Sequence, residues 1–225
     1  GVVSDSKNIA DIGHAYGIPL IVDEAHGAHF GFSPEFPENA TRLGADAVIM
    51  SVHKTLPAFT QTALLHLCSD RIAEKKVAQF LGIYETSSPS YILMAGIEKS
   101  LQIIEKDREM LFAAYSRRLA EFRDKTRNLK TLQVLQPSDF SKQEAFSFDP
   151  GKLLILTGNS MSGQALQEIL LREYGLQMEM ASGNYVVAMT SIMDTDEGFA
   201  RLSDALECID GTVRKKEETG VISPR

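Results

Sequence analysis

Basic residues are in deficit in this sequence: 23 Lys and Arg stand against 30 Asp and Glu, a formal net charge of −7. Nucleic-acid binders usually carry a basic stripe, so the balance argues against that class of partner. No apolar run approaches the roughly 20 residues that a membrane-spanning helix needs. Cysteine is scarce, with two in 225 residues. Cys68 and Cys208 lie far apart, in no Cys-x-x-Cys pair and no Cys/His cluster. That argues against a disulfide framework or a zinc module and predicts two buried thiols in a reducing, cytoplasmic setting. There is no internal repeat, no low-complexity segment and no secretory signal. The first residues already read as helix, so further sequence is expected upstream. What is present is an ordinary globular composition, 44% hydrophobic and 24% charged. It suffices for one large or two modest domains with a sizeable core.

Residues 4–16 carry helix signals, with Ser4 or Asp5 as cap, Ile9 and Ile12 on one face, and Gly17 past the end. IPLIVD, residues 18–23, is an apolar run closed by an acid and reads as a buried parallel strand. Residues 27–37 are loop, and a short helix at 39–43 ends on Gly44. AVIMS (47–51) and TALLHLC (62–68) are two further strands, and Ser69 or Asp70 is placed to cap a helix toward Leu81. This alternation predicts an α/β domain with a largely parallel sheet, whose functional groups gather at the C-terminal strand ends. After a break at 86–91, where Pro89 suits a first helical turn, a long helix is predicted over 90–128, with a bend or exposed turn near Arg108. Beyond it lie strands at 132–135 and 152–157, a helix at 162–175 and a hairpin turning near Gly183. An Asp194/Glu197 capping box is expected to open a last helix reaching about Lys215. The organisation is therefore 1–88 as part of a major domain, 89–128 as a connecting helix, 129–215 as a small α+β domain and 216–225 as a mobile tail.

IVDEAHGAHF (21–30) contains the letters of a helicase ATP site. The Gly-rich phosphate loop of such enzymes is missing, as is any Arg-rich segment of a second helicase lobe, and the module after residue 130 is too small for that lobe. A different constellation explains more. Lys54 follows a core strand, in Ser51-Val52-His53-Lys54-Thr55, and Asp23 ends the preceding one. A lysine beside small hydroxyls and a histidine at a strand mouth can form a Schiff base with an aldehyde cofactor. Pyridoxal phosphate also needs an acid near its ring nitrogen, which Asp23 could supply. Ser51 and His53 can hydrogen-bond a phosphate. Ala25 is small enough to let a ring lie flat. Alone, each residue is a weak signal; a strand-end Asp is often a turn former, and lysine is rarely buried. The pair at successive strand ends is stronger. His26 and His29 form an HxxH pair, but on a Gly-rich loop without a third ligand no metal site is expected.

VVSDSKNIADIGHAYGIPLIVDEAHGAHFGF, then GADAVIMSVHKTLPAFTQTALLH, then ETSSPSYILMAGIE, resemble in order the ornithine/lysine/arginine decarboxylases, which are fold type I pyridoxal-phosphate enzymes. Residues 150–207 resemble that family's smaller following domain more weakly. The resemblance implies the C-terminal half of a fold type I major domain. The family's phosphate-binding loop and ring-stacking aromatic residue would precede residue 1, and its C-terminal region would follow residue 225. Lys54 would be the Schiff-base lysine, Asp23 the partner of the pyridine nitrogen, and Ser51 and His53 the phosphate contacts. His26 would lie near the substrate carboxylate or ring oxygen. Thr86 and Ser87 would reach a cofactor phosphate across a subunit interface, as in a homodimer or higher oligomer; the bland alternative there is a helix cap by Ser88. The substrate would be lysine, ornithine or arginine, losing carbon dioxide to leave a di- or polyamine, with Cα reprotonated by Lys54 or His53. An aminotransferase would want an arginine clamp on the carboxylate, and the visible candidates, Arg172 and Arg201, fall on helices without site context. A related aminotransferase and a non-catalytic assembly module stay open as alternatives.

Overall fold

Asp5 opens the first helix, Ser6–Ala15, its side chain accepting the Asn8 N–H at 3.1 Å. The computed structural model describes residues 1–85, 88–141 and 145–218, with helix side chains described as far as residue 214. The chain divides into two compact units, Val3–Phe112, and Ala113–Arg225 with Gly1–Val2. The helix Tyr91–Thr126 contributes its residues through Phe112 to the first unit and the rest to the second. It runs unbroken through Arg108, which is exposed. The Ser90 hydroxyl accepts the Leu93 N–H at 3.4 Å at its start.

In the first unit, strand Ile21–Asp23 pairs in parallel with Ala47–Ser51, with Asp23 opposite Ile49. The third strand, Ala63–Leu67, runs antiparallel to Ala47–Ser51. The expectation of a largely parallel sheet therefore fails: the sheet is small and mixed. A parallel return needs a crossover of a dozen or more residues, and the link from Ser51 to Ala63 holds only one helical turn, Val52–Thr55, and a tight loop. Gln61 in that loop is the one non-glycine residue with positive φ among the described residues, at 78°.

Asp46 fastens this unit. It is fully buried and accepts from Leu20 N–H at 2.7 Å and from Ser69 Oγ, with His14 Nε2 2.8 Å away. Burial alone would raise its carboxyl, but hydrogen bonds from Ser69, His14 and Leu20 outweigh it and hold the pKa at about 2. Ser69 is thereby engaged with Asp46 and the Arg71 N–H, so the following helix, Glu74–Tyr84, starts without a side-chain cap. Cys68 and Cys208 are both exposed, contrary to the expectation of burial. Cys68 follows the edge strand, where alternation turns its neighbours outward.

The second unit is built on a four-stranded antiparallel sheet in the order Gln133–Val134, Lys152–Leu156, Tyr185–Met189, Met180–Ser182. The helix Gly163–Tyr174 lies against the last two of these strands, burying Leu166 and Leu170. Ser162 caps it by accepting the Ala165 N–H, and Gly175 ends it with φ 64°. Gly163 is required by close approach: a Cβ there would fall 2.2 Å from the Tyr185 carbonyl oxygen. The last helix, Asp196–Glu218, begins differently from the expected Asp194/Glu197 box. Thr195 Oγ1 accepts the Gly198 N–H at 3.1 Å, while Asp194 turns back to accept the Ser191 N–H at 2.6 Å. Buried Asp210 on this helix gathers the backbone N–H groups of Lys130, Thr131 and Leu132 at 2.7–3.1 Å.

Candidate active site

Asp23 and Ser51 are the last residues of neighbouring parallel strands. The two-residue alternation puts them, with Ile49, on one sheet face. One Asp23 oxygen, Oδ1, accepts the Ala25 N–H at 3.0 Å, and Oδ2 has no hydrogen-bond partner among the described residues. Ser51 occupies the cap position of the turn Val52–Thr55, but its hydroxyl makes no cap bond. The chain then bends through that turn, which carries His53 and Lys54.

Lys54 Nζ lies 2.8 Å from His26 Nε2. An ammonium can only donate, so this contact makes Nε2 the acceptor and puts the proton of a neutral His26 ring on Nδ1. His53 Nδ1 donates to the Thr62 carbonyl at 2.9 Å, which leaves the Nε2 of a neutral His53 ring as a proton acceptor. Lys54 and His53 are half-buried, and Asp23 and His26 are exposed. Lys54 and His26 are thus brought together, as are Asp23 and Ala25, and no described hydrogen bond joins Asp23 to Lys54. Thr86 and Ser87 lie outside the described residues. His29, the other half of the HxxH pair, is 1% exposed, its ring edge-on to Phe30 at 4.8 Å and Phe36 at 5.2 Å. Among the described residues no three metal-ligating side chains cluster. Arg172 pairs with Glu168 at 2.7 Å and Arg201 donates to the Tyr174 carbonyl at 2.9 Å, so both are engaged locally.

Two features have no counterpart in the motif reading. The first is Glu24, 8% exposed between Asp23 and Ala25, with Oε1 accepting the Ala40 N–H at 3.1 Å. Burial pushes its carboxyl up to about 7; the Ala40 N–H opposes this and nearby Glu38 adds to it. An acid directly after Asp23 gave no sign of its inward direction except strand alternation. The second is a cavity of about 190 Å³ lined by Phe30, Phe32, Met50, Leu64 and His66 among others. Met50, Leu64 and His66 belong to the sheet face opposite Asp23 and Ser51.

Residues 1–155 match the family model described as "Orn/Lys/Arg decarboxylase, major domain". The chain belongs to the Orn/Lys/Arg decarboxylase family. It is 36% identical over 189 residues to the Bacillus subtilis (strain 168) protein YaaO, itself described as uncharacterized, covering 83% of this chain and 38% of that one. It is 26% identical over 207 residues to an arginine decarboxylase of the same organism, covering 92% of this chain and 42% of that one. The chain thus spans about two fifths of the length of these curated relatives. The solved Escherichia coli constitutive lysine decarboxylase superposes with a TM-score of 0.75 at 18% identity, over 93% of this chain and 35% of that one. That likeness identifies an α/β fold matching part of a fold type I major domain. Enzymes of this family use pyridoxal 5′-phosphate. The donor set fits that group: a half-buried primary amine, a strand-end carboxylate with one oxygen unengaged, and a hydroxyl outside any cap bond.

Proposed function

We propose that this chain is the lysine-bearing part of a pyridoxal-phosphate-dependent decarboxylase acting on arginine, lysine or ornithine. The observation that supports this most is the 2.8 Å contact between Lys54 Nζ and His26 Nε2, next to the ends of two parallel strands, within a chain of this family. Lys54 would anchor the cofactor covalently. Asp23 Oδ2 would hold a proton on the ring nitrogen, Ala25 and His26 would border the ring, and Ser51 and His53 would contact the phosphate. Thr86 and Ser87 would serve a site shared between subunits of a homodimer or larger assembly. When bound, pyridoxal phosphate supplies the electron sink that weakens the bond from Cα to the carboxylate. His26 Nε2 accepts a hydrogen bond from Lys54 Nζ and so orients the amine. Lys54 Nζ, and the Nε2 of His53 once that acceptor has taken up a proton, would be the two groups suited to return a proton to Cα. Relatives named arginine decarboxylase make arginine the first substrate to test. Among the described residues no helix is long and apolar enough to cross a membrane, which suits a cytoplasmic enzyme of amine synthesis.

A solved alanine–glyoxylate aminotransferase from Nostoc shares the fold, with a TM-score of 0.69 at 16% identity, and supports an aminotransferase as second reading. Adding cofactor and assaying carbon dioxide and amine release from arginine, lysine and ornithine separates the two. The decarboxylase reading expects release that Lys54→Ala abolishes, with no amino transfer to a keto acid. Transfer without carbon dioxide would favour the second reading. Neither activity, with cofactor retained, would point to a non-catalytic module.

A further inference from the structure

We propose that Glu24 is a positioning residue of the candidate site, holding the turn that presents Asp23 on one side and His26 on the other. The inference rests on the reading of Asp23, His26 and Lys54 given above. Glu24 is fastened at three points. Its N–H donates to the Ile49 carbonyl at 2.8 Å, extending the parallel pairing one residue past Asp23. Its carbonyl accepts the Gly27 N–H at 2.8 Å and closes a tight turn over Ala25 and His26. Its side chain runs inward, and Oε1 accepts the Ala40 N–H at 3.1 Å.

Ala40 is the first residue of the 3₁₀ turn Ala40–Arg42, which is itself held by Asn39, whose side chain accepts the Thr41 N–H at 2.9 Å. Glu24 therefore ties the His26 turn to an element 16 residues away in sequence. The turn also packs on the Glu24 side chain. A Cβ at Gly27 would stand 2.6 Å from Glu24 Cγ and 2.7 Å from the Phe30 ring, so only glycine lets the side chain pass beneath. The cost of the arrangement is visible: Oε2 is buried without a hydrogen-bond partner, which accompanies the raised pKa. A residue serving packing alone would not need a hydrogen-bond acceptor in that position. The nearest output is the Lys54–His26 contact, because His26 sits at the third position of the turn that Glu24 closes.

The test uses ¹⁵N-labelled chain without cofactor and reads two signals, exchange of the Ala40 amide and the ring-nitrogen shifts that report the His26 tautomer. In the unaltered chain we expect a protected Ala40 amide and a neutral His26 with its proton on Nδ1. Glu24→Gln keeps an Oε1 acceptor and should preserve both. Glu24→Ala should speed Ala40 exchange roughly tenfold or more and average the two His26 tautomers. Ala40→Pro removes the same N–H from the other side. Asn39, at φ −73° and ψ 136°, already has the extended backbone that a residue before proline adopts. It should reproduce the His26 change, and it decides the matter if Glu24→Ala does not fold. An unchanged His26 signature in both Glu24→Ala and Ala40→Pro, or no rescue by glutamine, overturns the proposal. Because neither signal needs cofactor, these changes would leave the positioning role standing whether or not the chain binds pyridoxal phosphate, and binding tests the proposed function separately.

Discussion

The sheet of residues 133–189 is covered on its helix side, and the sheet of residues 21–67 is not covered on the face that carries the candidate site. In the first, Leu153, Ile155 and Val186 are fully buried, and Leu166 and Leu170 of the adjoining helix are buried with them. In the second, Ile21, Ile49, Leu65 and Leu67 share a face and are 37–59% exposed, while the helix Glu74–Tyr84 has no buried residue. Asp23 and Ser51 stand on that open face. The first unit keeps its core on the opposite face of the same sheet, where Val48 and Met50 are buried.

The comparison can be broken by substitution. Leu153→Ala should cost about 2–5 kcal/mol in urea unfolding, since it empties a fully buried site. Ile49→Ala, on the open face, should cost less than about 1 kcal/mol. Equal costs would mean that the open face is packed in solution. Asp46→Ala should cost roughly 2–4 kcal/mol, because it strands the Leu20 N–H and two side-chain donors in a buried position. The Asp46 carboxyl is held below its ordinary 3.8, at about 2. Its contribution is therefore present above the ordinary value and lost as pH falls through about 2, so Asp46→Asn should flatten acid unfolding between pH 4 and 2.

Glu24 has the opposite sign. Its pKa is raised to about 7, so its contribution is complete below the ordinary value of 4.5 and lost as pH rises through 7. Glu24→Gln should thus stabilise the chain by roughly 2–3 kcal/mol at pH 8 and change little at pH 4. A pH-independent difference would show that the carboxyl does not titrate in this range. The smallest effect is local. Backbone amides of 21–23 and 63–67 should exchange roughly tenfold faster than those of 153–155 and 186–188, and reversed protection would contradict the comparison.

Much of the architecture was legible because local rules agreed with the fold. Asp5 and Gly175 end their helices as their positions suggested, and the strand at 47–51 follows its apolar run. Asp23, Ala25 and Ser51 could be located at strand ends for the same reason. What escaped depended on pairing between distant segments. The direction of Ala63–Leu67 follows from the short link before it, and apolar content carries no direction. The first-turn signals at Ser69 and Asp194 were lost because both side chains found other partners, Asp46 and the Ser191 N–H. Nothing adjacent in sequence marks Glu24 or Asp46 as buried; their partners are Ala40 for the first and His14 and Ser69 for the second.

The central claim, that Lys54 is the cofactor's covalent anchor, is tested most directly by incubating the chain with pyridoxal phosphate, reducing with borohydride and mapping the modified peptide by mass. We expect one pyridoxyl group on the peptide containing Lys54, with none on the remaining lysines when Lys54→Ala is treated in the same way. Modification scattered over surface lysines, or undiminished in Lys54→Ala, would contradict the claim.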